Sequence, residues 1–358
     1  MEAQDAVKLC YQAAFGAEHL LQDKTSVYWY LEQEYETLVA DTSPLYEQIH
    51  PNVCRVNLAA WKRERLPLEW LFCMFVETAA NPPENGDQIF QSCLNTVQQL
   101  IREQTAPAAE KLLAGTQAVN IIEGLSSEVP IIPFSSEQWN DFLSQYPLRQ
   151  PEAVHHSENY RHREHPAYRL ICARFIRVIP ILQAIVKMPQ ERKIVALDGR
   201  AASGKTTLAK QLAKITGAGV VHMDDFFLPP ELRTEERLAE PGGNVHYERF
   251  TEEVLTPLRS PKAFRYHCFD CSRMEPGEDR VVPEGDLRIV EGSYSCHPLF
   301  GKYMGLRVFC DVKPKEQLKR IQQRNGGEML ENFRDRWIPM EEHYFRYFRI
   351  REHADLVV

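Results

Sequence analysis

The sequence predicts a doubly wound α/β sheet over its second half, preceded by a mostly α-helical domain. Three observations carry that expectation. A short apolar run, Ile194-Val-Ala-Leu197, leads into Gly199-Arg-Ala-Ala-Ser-Gly204-Lys205-Thr206, and Leu208, Leu212 and Ile215 follow at helical spacing until Gly217. Beyond them, apolar runs of strand length alternate with helical patterns, which is how a parallel sheet is built. Residues 1 to about 145, in contrast, show helical periodicity with few strand signals.

The octapeptide satisfies G-x-x-x-x-G-K-[ST] in every required position. Its glycines let the backbone turn tightly enough for N–H groups to converge on phosphate oxygens, and the helix behind it aims a positive end at the same anion. Lys205 is placed to reach the β- and γ-phosphates of ATP, and the Thr206 hydroxyl to take a place on Mg²⁺. Gly199, Arg200, Ala201, Ala202, Ser203, Gly204, Lys205, Thr206 and Thr207 are therefore the expected nucleotide-binding residues. Strand, glycine loop and helix in that order are the P-loop NTPase arrangement.

Composition bounds the rest. A chain of 358 residues is long enough for two domains with separate cores. Apolar residues at 44% and charged ones at 26% describe an ordinary globular protein. The net charge of −8, from 42 basic and 50 acidic side chains, argues against a broad footprint on nucleic acid or anionic membrane. Met1-Glu-Ala-Gln-Asp5 lacks the basic start of a secretory signal, and Arg174, Arg177 and Pro180 interrupt the most apolar stretch, Leu170 to Val186. A soluble, cytoplasmic protein is expected. Cys268 and Cys271 form one C-x-x-C with no second pair, so the nine cysteines read as reduced thiols.

Taken in order, Val27, Leu31, Tyr35 and Leu38 mark one amphipathic helix face. Leu68, Leu71, Phe72, Phe75 and Val76 mark a second, stopped by Asn81-Pro-Pro, and Ile89 to Ile101 a third. Ser135 and Gln138 have the spacing of a capping box. His155, His156, His162 and His165 fall among carboxylates, but their spacing gives no helical ligand pair, so structural or solvated histidines are expected rather than a metal site. A helix from about Ala167 to Lys187 then leads to Ile194, and the domains are divided as 1–188 and 189–358.

In the second domain, Val220 to Asp224, Phe264 to Phe269, Leu287 to Val290, Leu306 to Cys310 and Ala354 to Val358 read as strands. Tyr247 to Leu258 and Lys315 to Arg324 read as helices. Ligands of such sheets bind at the carboxyl ends of the strands. Asp224, at one such end, can accept the proton of an attacking hydroxyl. Glu291, at another, can hold Mg²⁺ directly or through water. Arg320 and Arg324, one turn apart, can neutralise charge on a transferred phosphoryl group.

With these residues in view, the second domain resembles the uridine kinase and phosphoribulokinase family of P-loop small-molecule kinases. The resemblance rests on GRAASGKTT, His222-Met-Asp-Asp-Phe-Phe227, Pro241 to Phe250, Ile289-Val-Glu-Gly-Ser293 and Arg320…Arg324, and spans about residues 190 to 358. It implies transfer of a phosphoryl group from ATP, with Mg²⁺, to a hydroxyl of a small-molecule acceptor. It further implies Asp224 as the base, Glu291 as the acid on the metal, and Arg320 and Arg324 as lid arginines. Tyr266 and Arg273 would lie beside the acceptor, and His246 and Tyr247 in the acceptor block. There this chain has Val245-His246-Tyr247 where the family often has Asp-His-Pro, so the carboxylate expected on ribose hydroxyls is absent; Asn244 or His246 is the available substitute. Residues 1–188 carry no such resemblance, and a homo-oligomer is left open. The reading from another class is a nucleotide-binding regulator with a sensing helical domain. A pure binder needs no base, so Asp224 and Glu291 together favour the enzyme.

Overall fold

Helical periodicity in the first half is realised around a core drawn from both of its ends. The computed structural model describes residues 1–17, 24–105, 132–189, 193–270 and 273–358; Cys271 of the C-x-x-C lies outside them. The chain divides into two compact units, Met1–Ile176 and Arg177–Val358.

In the first unit, α1 (Ala3–Phe15) opens the chain and α2 (Lys24–Thr37) follows. Next come β1 (Tyr46–His50), β2 (Val53–Asn57), α3 (Leu58–Arg63), α4 (Leu68–Ala79) and α5 (Gly86–Thr105). The unit closes with α6 (Ser136–Gln145), α7 (Glu158–Glu164) and β3 (Tyr168–Cys172). The apolar stripe of α5 packs on Val7 and Cys10 of α1 and on Trp139 of α6, all buried. Ser135 caps α6 through its hydroxyl, and Gln138 returns the bond to the Ser135 N–H, completing the capping box.

The first unit is not purely helical. β1, β2 and β3 form an antiparallel sheet in that order, with Arg55 opposite Leu170 and Asn57 opposite Tyr168. β3 occupies the start of the stretch Ala167–Lys187 that the sequence reads as helix. A short apolar run suits either element, and pairing with β2, far away in sequence, decides for strand. The helix, α8, begins at Ile179 and runs to Lys187. It belongs to the second unit, so the division falls at 176/177 instead of 188/189: α8 packs on a strand of the second sheet, and the neighbouring Arg177 Nη1 donates to the Ser203 carbonyl at 3.2 Å. Of the four histidines, His156 is a core residue, bonded through Nδ1 to Asp5 at 3.1 Å and through Nε2 to the Tyr168 hydroxyl at 2.7 Å. His155, His162 and His165 are exposed.

The second unit continues with β4 (Ile194–Gly199), α9 (Lys205–Thr216) and β5 (Gly219–His222). Two short helices follow, α10 (Glu235–Ala239) and α11 (Tyr247–Phe250); the helical path of α11 widens to a π turn over Thr251–Leu255. The segment expected as one strand, Phe264 to Phe269, is split. β6 (Phe264–Tyr266) pairs antiparallel with β9 (Arg280–Val282), and β7 (Phe269–Asp270) with β8 (Glu275–Pro276), outside the main sheet. β10 (Arg288–Glu291), β11 (Leu306–Cys310), α12 (Pro314–Asn332), α13 (Ile338–Tyr347) and β12 (Leu356–Val357) complete the unit. α12 runs past the expected Arg324 and kinks at Gly326.

The main sheet has the order β12-β11-β4-β10-β5, and its registered pairs are all parallel. β4 is buried along its whole length, which explains its unbroken apolar run. Parallel pairing aligns the carboxyl ends: Gly199 lies opposite Cys310, and Glu291 opposite both Leu197 and His222. The glycine loop after β4, Glu291 and the residues after β5 therefore emerge along one edge.

Candidate active site

Two glycines shape the loop between β4 and α9. Gly199 has φ +133° and sits so close to β11 that a Cβ there would lie 2.1 Å from the Cys310 carbonyl oxygen. Gly204 takes φ +94° and serves as N-cap of α9. Behind the loop, the buried Asp198 carboxylate accepts the N–H groups of Gly199, Tyr294 and Cys296 and the Tyr344 hydroxyl, at 2.7 to 3.1 Å. Asp198 thus ties the end of β4 to the turn after β10 and to α13.

A cavity of about 580 Å³ opens in front of this loop. Ala201, Ala202, Gly204, Lys205, Thr206 and Thr207 line one side, and Asp224, Glu291, Arg320 and Arg324 line it too. Lys205 Nζ donates to the carbonyls of Gly199 (2.7 Å) and Arg200 (2.9 Å) and to Ser293 Oγ (3.2 Å). Thr206 Oγ1 donates to Glu291 Oε2 at 3.2 Å, and His222 Nδ1 meets Glu291 Oε1 at 2.6 Å. A hydroxyl beside a buried carboxylate is an oxygen donor pair of the kind Mg²⁺ takes, with phosphate and water oxygens supplying the rest. Arg320 Nη1 donates to the Ala202 carbonyl at 3.3 Å. Arg324 lies with its guanidinium 6.0 Å from the Phe333 ring.

The two adjacent aspartates part company. Asp225 is buried, accepts Arg280 Nε at 2.7 Å and the Tyr266 hydroxyl at 2.9 Å, and does not line the cavity. Asp224 opens to solvent through the cavity, yet the surrounding protein withholds enough water to push its carboxyl above the ordinary range. The neighbouring Glu291 charge pushes the same way, and Lys205 opposes both.

Sequence reasoning missed Glu341. This residue of α13 is buried, lines the cavity, and accepts the Ala201 N–H at 2.9 Å and the Ser293 hydroxyl at 2.7 Å. Burial raises its carboxyl, against the pull of Lys205. Its neighbour Glu342 meets Arg200 Nε at 2.5 Å, and Arg200 also pairs with Asp311. The Arg200 side chain is therefore spent on holding the loop, and Gly199, Arg200 and Ser203 do not line the cavity. No local pattern marks Glu341, because its partners lie far back in the chain.

The four residues expected on the acceptor side have other surroundings. Tyr266 is 1% exposed and committed to Asp225. His246 caps α11 through Nδ1. The Tyr247 hydroxyl donates to Glu240 at 2.7 Å, with Arg237 3.6 Å from its ring. Arg273 is exposed, within 3.5 Å of Glu275. None of the four lines the cavity, whose lining includes Phe227, Arg233, Asn244, Met274 and Tyr294. Asn244 is 4% exposed, and its Oδ1 has no partner among the described residues.

Fold and site together define a parallel α/β protein with a P-loop sequence between its buried strand β4 and α9, opening on one cavity. Among solved structures the chain is similar to one described as a possible uridine kinase from Bacillus stearothermophilus, at 20% identity and TM-score 0.39, over 51% of this chain and 96% of that one. It is similar to a protein described as a fructose transport system kinase from Silicibacter sp. TM1040, at 21% identity and TM-score 0.40, over 50% and 95%. Shikimate kinase from Bacteroides thetaiotaomicron matches at 19% identity and TM-score 0.24, over 46% and 83%. No protein-family model and no curated protein matches the sequence.

Proposed function

We propose that the second unit is an ATP- and Mg²⁺-dependent phosphotransferase that phosphorylates a hydroxyl of a small molecule, as the resemblance to the uridine kinase and phosphoribulokinase family implies. One observation carries the reading: Lys205 and Thr206 of the loop, Asp224, Glu291, Arg320 and Arg324 line a single cavity. A regulator that only binds nucleotide has no use for Asp224 there.

In this mechanism the loop N–H groups and Lys205 hold the β- and γ-phosphates. Asp224 accepts the proton of the acceptor hydroxyl as its oxygen forms a bond to the γ-phosphorus; the bond from that phosphorus to the β-γ bridging oxygen breaks, and ADP leaves. Arg320 and Arg324 offset the charge spread over the transferred group. Thr206 and Glu291 would hold Mg²⁺, which neutralises phosphate charge when bound. The acceptor would lie beside Asn244, Phe227 and Tyr294. A panel of alcohols incubated with ATP and the full chain, read by ADP release and product mass, tests the reading. ATP bound without phosphorylation of any alcohol would favour the regulator.

A further inference from the structure

Glu341 places an anion on the phosphate loop itself. The N–H groups of such a loop are the groups that bind phosphate oxygens, and here the Ala201 N–H is already bonded to Glu341 Oε2 at 2.9 Å. The carboxylate is not a surface group that strayed in: it is 8% exposed, and Ser293 Oγ donates to its other oxygen at 2.7 Å. We propose that Glu341 sets the discrimination between nucleoside triphosphate and diphosphate, because its carboxylate has to leave the Ala201 N–H when a terminal phosphate arrives. This rests on the nucleotide reading of the site given above.

The terminal phosphate is singled out by position. Glu341 lines the same cavity as Asp224 and Tyr294, and the Asp224 charge adds to the burial that raises the Glu341 carboxyl. The phosphoryl group that travels toward Asp224 is the γ group, and a diphosphate lacks it. A carboxylate and a phosphate held side by side repel, and Lys205, the cation beside Ser293, cannot satisfy both in full. What yields is the side chain and not the helix. α13 is anchored on either side of the contact, by Tyr344 on Asp198 at 2.8 Å and by Glu342 on Arg200 at 2.5 Å.

The test compares ADP with the non-hydrolysable β,γ-imido-ATP, both with excess Mg²⁺, by titration calorimetry on the full chain. Glu341→Gln keeps the shape and removes the charge; it should strengthen β,γ-imido-ATP binding roughly tenfold while changing ADP binding by no more than about twofold. Ser293→Ala, which leaves the carboxylate held by Ala201 alone, should shift the same ratio in the same direction and serves if the glutamine variant does not fold. An equal shift for both nucleotides, or weaker triphosphate binding, overturns the role of Glu341 and leaves the nucleotide site standing. Wild-type protein that binds neither nucleotide overturns both.

Discussion

Asp225 and Arg280 form a two-pronged ion pair, with Arg280 Nε 2.7 Å from one carboxylate oxygen and Nη2 3.2 Å from the other. That pair gives Asp225 a structural task and leaves its neighbour Asp224 facing the cavity. Two substitutions one residue apart should therefore fail differently. Asp224→Asn should lower kcat by about 10²–10⁴ with the fold intact, the range for losing a general base. Asp225→Asn should cost stability, about 1–3 kcal/mol for a weakened charged hydrogen-bond pair. Steady-state kinetics beside denaturant melts of the two variants separate these effects. Wild-type kcat in Asp224→Asn at saturating substrates would refute the assignment of the base.

Lys205→Ala should impair binding and turnover together. Its Nζ is held on the loop by the Gly199 and Arg200 carbonyls, from which it needs only a short reach to phosphate. Losing one or two charge-assisted hydrogen bonds to phosphate should weaken ATP binding about 10- to 100-fold. Equilibrium binding of ATP and single-turnover rates measure the two losses, and an unaltered ATP affinity contradicts the placement.

The first unit should lose stability in mild acid through His156. Burial presses this imidazole down to about 4, from an ordinary value of 6.5, with the bond to Asp5 opposing. Between those values the unfolded chain takes up a proton that the folded unit refuses. The stability is therefore complete above about pH 6.5 and falls as pH drops toward 4, by up to about 3 kcal/mol. Urea unfolding at pH 7.5 and pH 5, for wild type and His156→Gln, checks this: the wild-type loss should shrink in the variant, and parallel losses would count against His156 as the source.

Uridine and cytidine should be poor acceptors. Val245, which stands where the family this chain resembles often has an acid, is fully buried, and His246 and Tyr247 are occupied elsewhere. A missing partner for a substrate hydroxyl costs about 1–3 kcal/mol, or roughly 5- to 150-fold. Values of kcat/KM for either nucleoside at or above about 10⁴ M⁻¹s⁻¹ would show that another group has taken over the contact.

What was legible in the sequence was what depends on near neighbours. The loop from Gly199 to Thr206, the helix behind it and the strand Leu306–Cys310 follow from local spacing, since tight turns need glycine and a buried strand needs an unbroken apolar run. The capping box at Ser135 is local in the same sense. β3 is not: Tyr168–Cys172 reads as helix until β2, more than a hundred residues earlier, offers its hydrogen bonds.

The cavity divides along the same line. Lys205, Thr206, Asp224, Glu291, Arg320 and Arg324 could each be picked out because each sits beside a recognisable loop, strand end or helix turn. Glu341 could not be, Asn244 entered only as a substitute for a missing acid, and Tyr266, His246, Tyr247 and Arg273, expected on the acceptor side, do not line the cavity. The sequence by itself determined that a glycine-shaped loop carrying the phosphate-binding pattern stands between a buried strand and a helix. Only the tertiary structure decided which side chains face that loop, because parallel strand register and the return of α13 bring together residues separated by more than a hundred positions, an apposition no local pattern can encode.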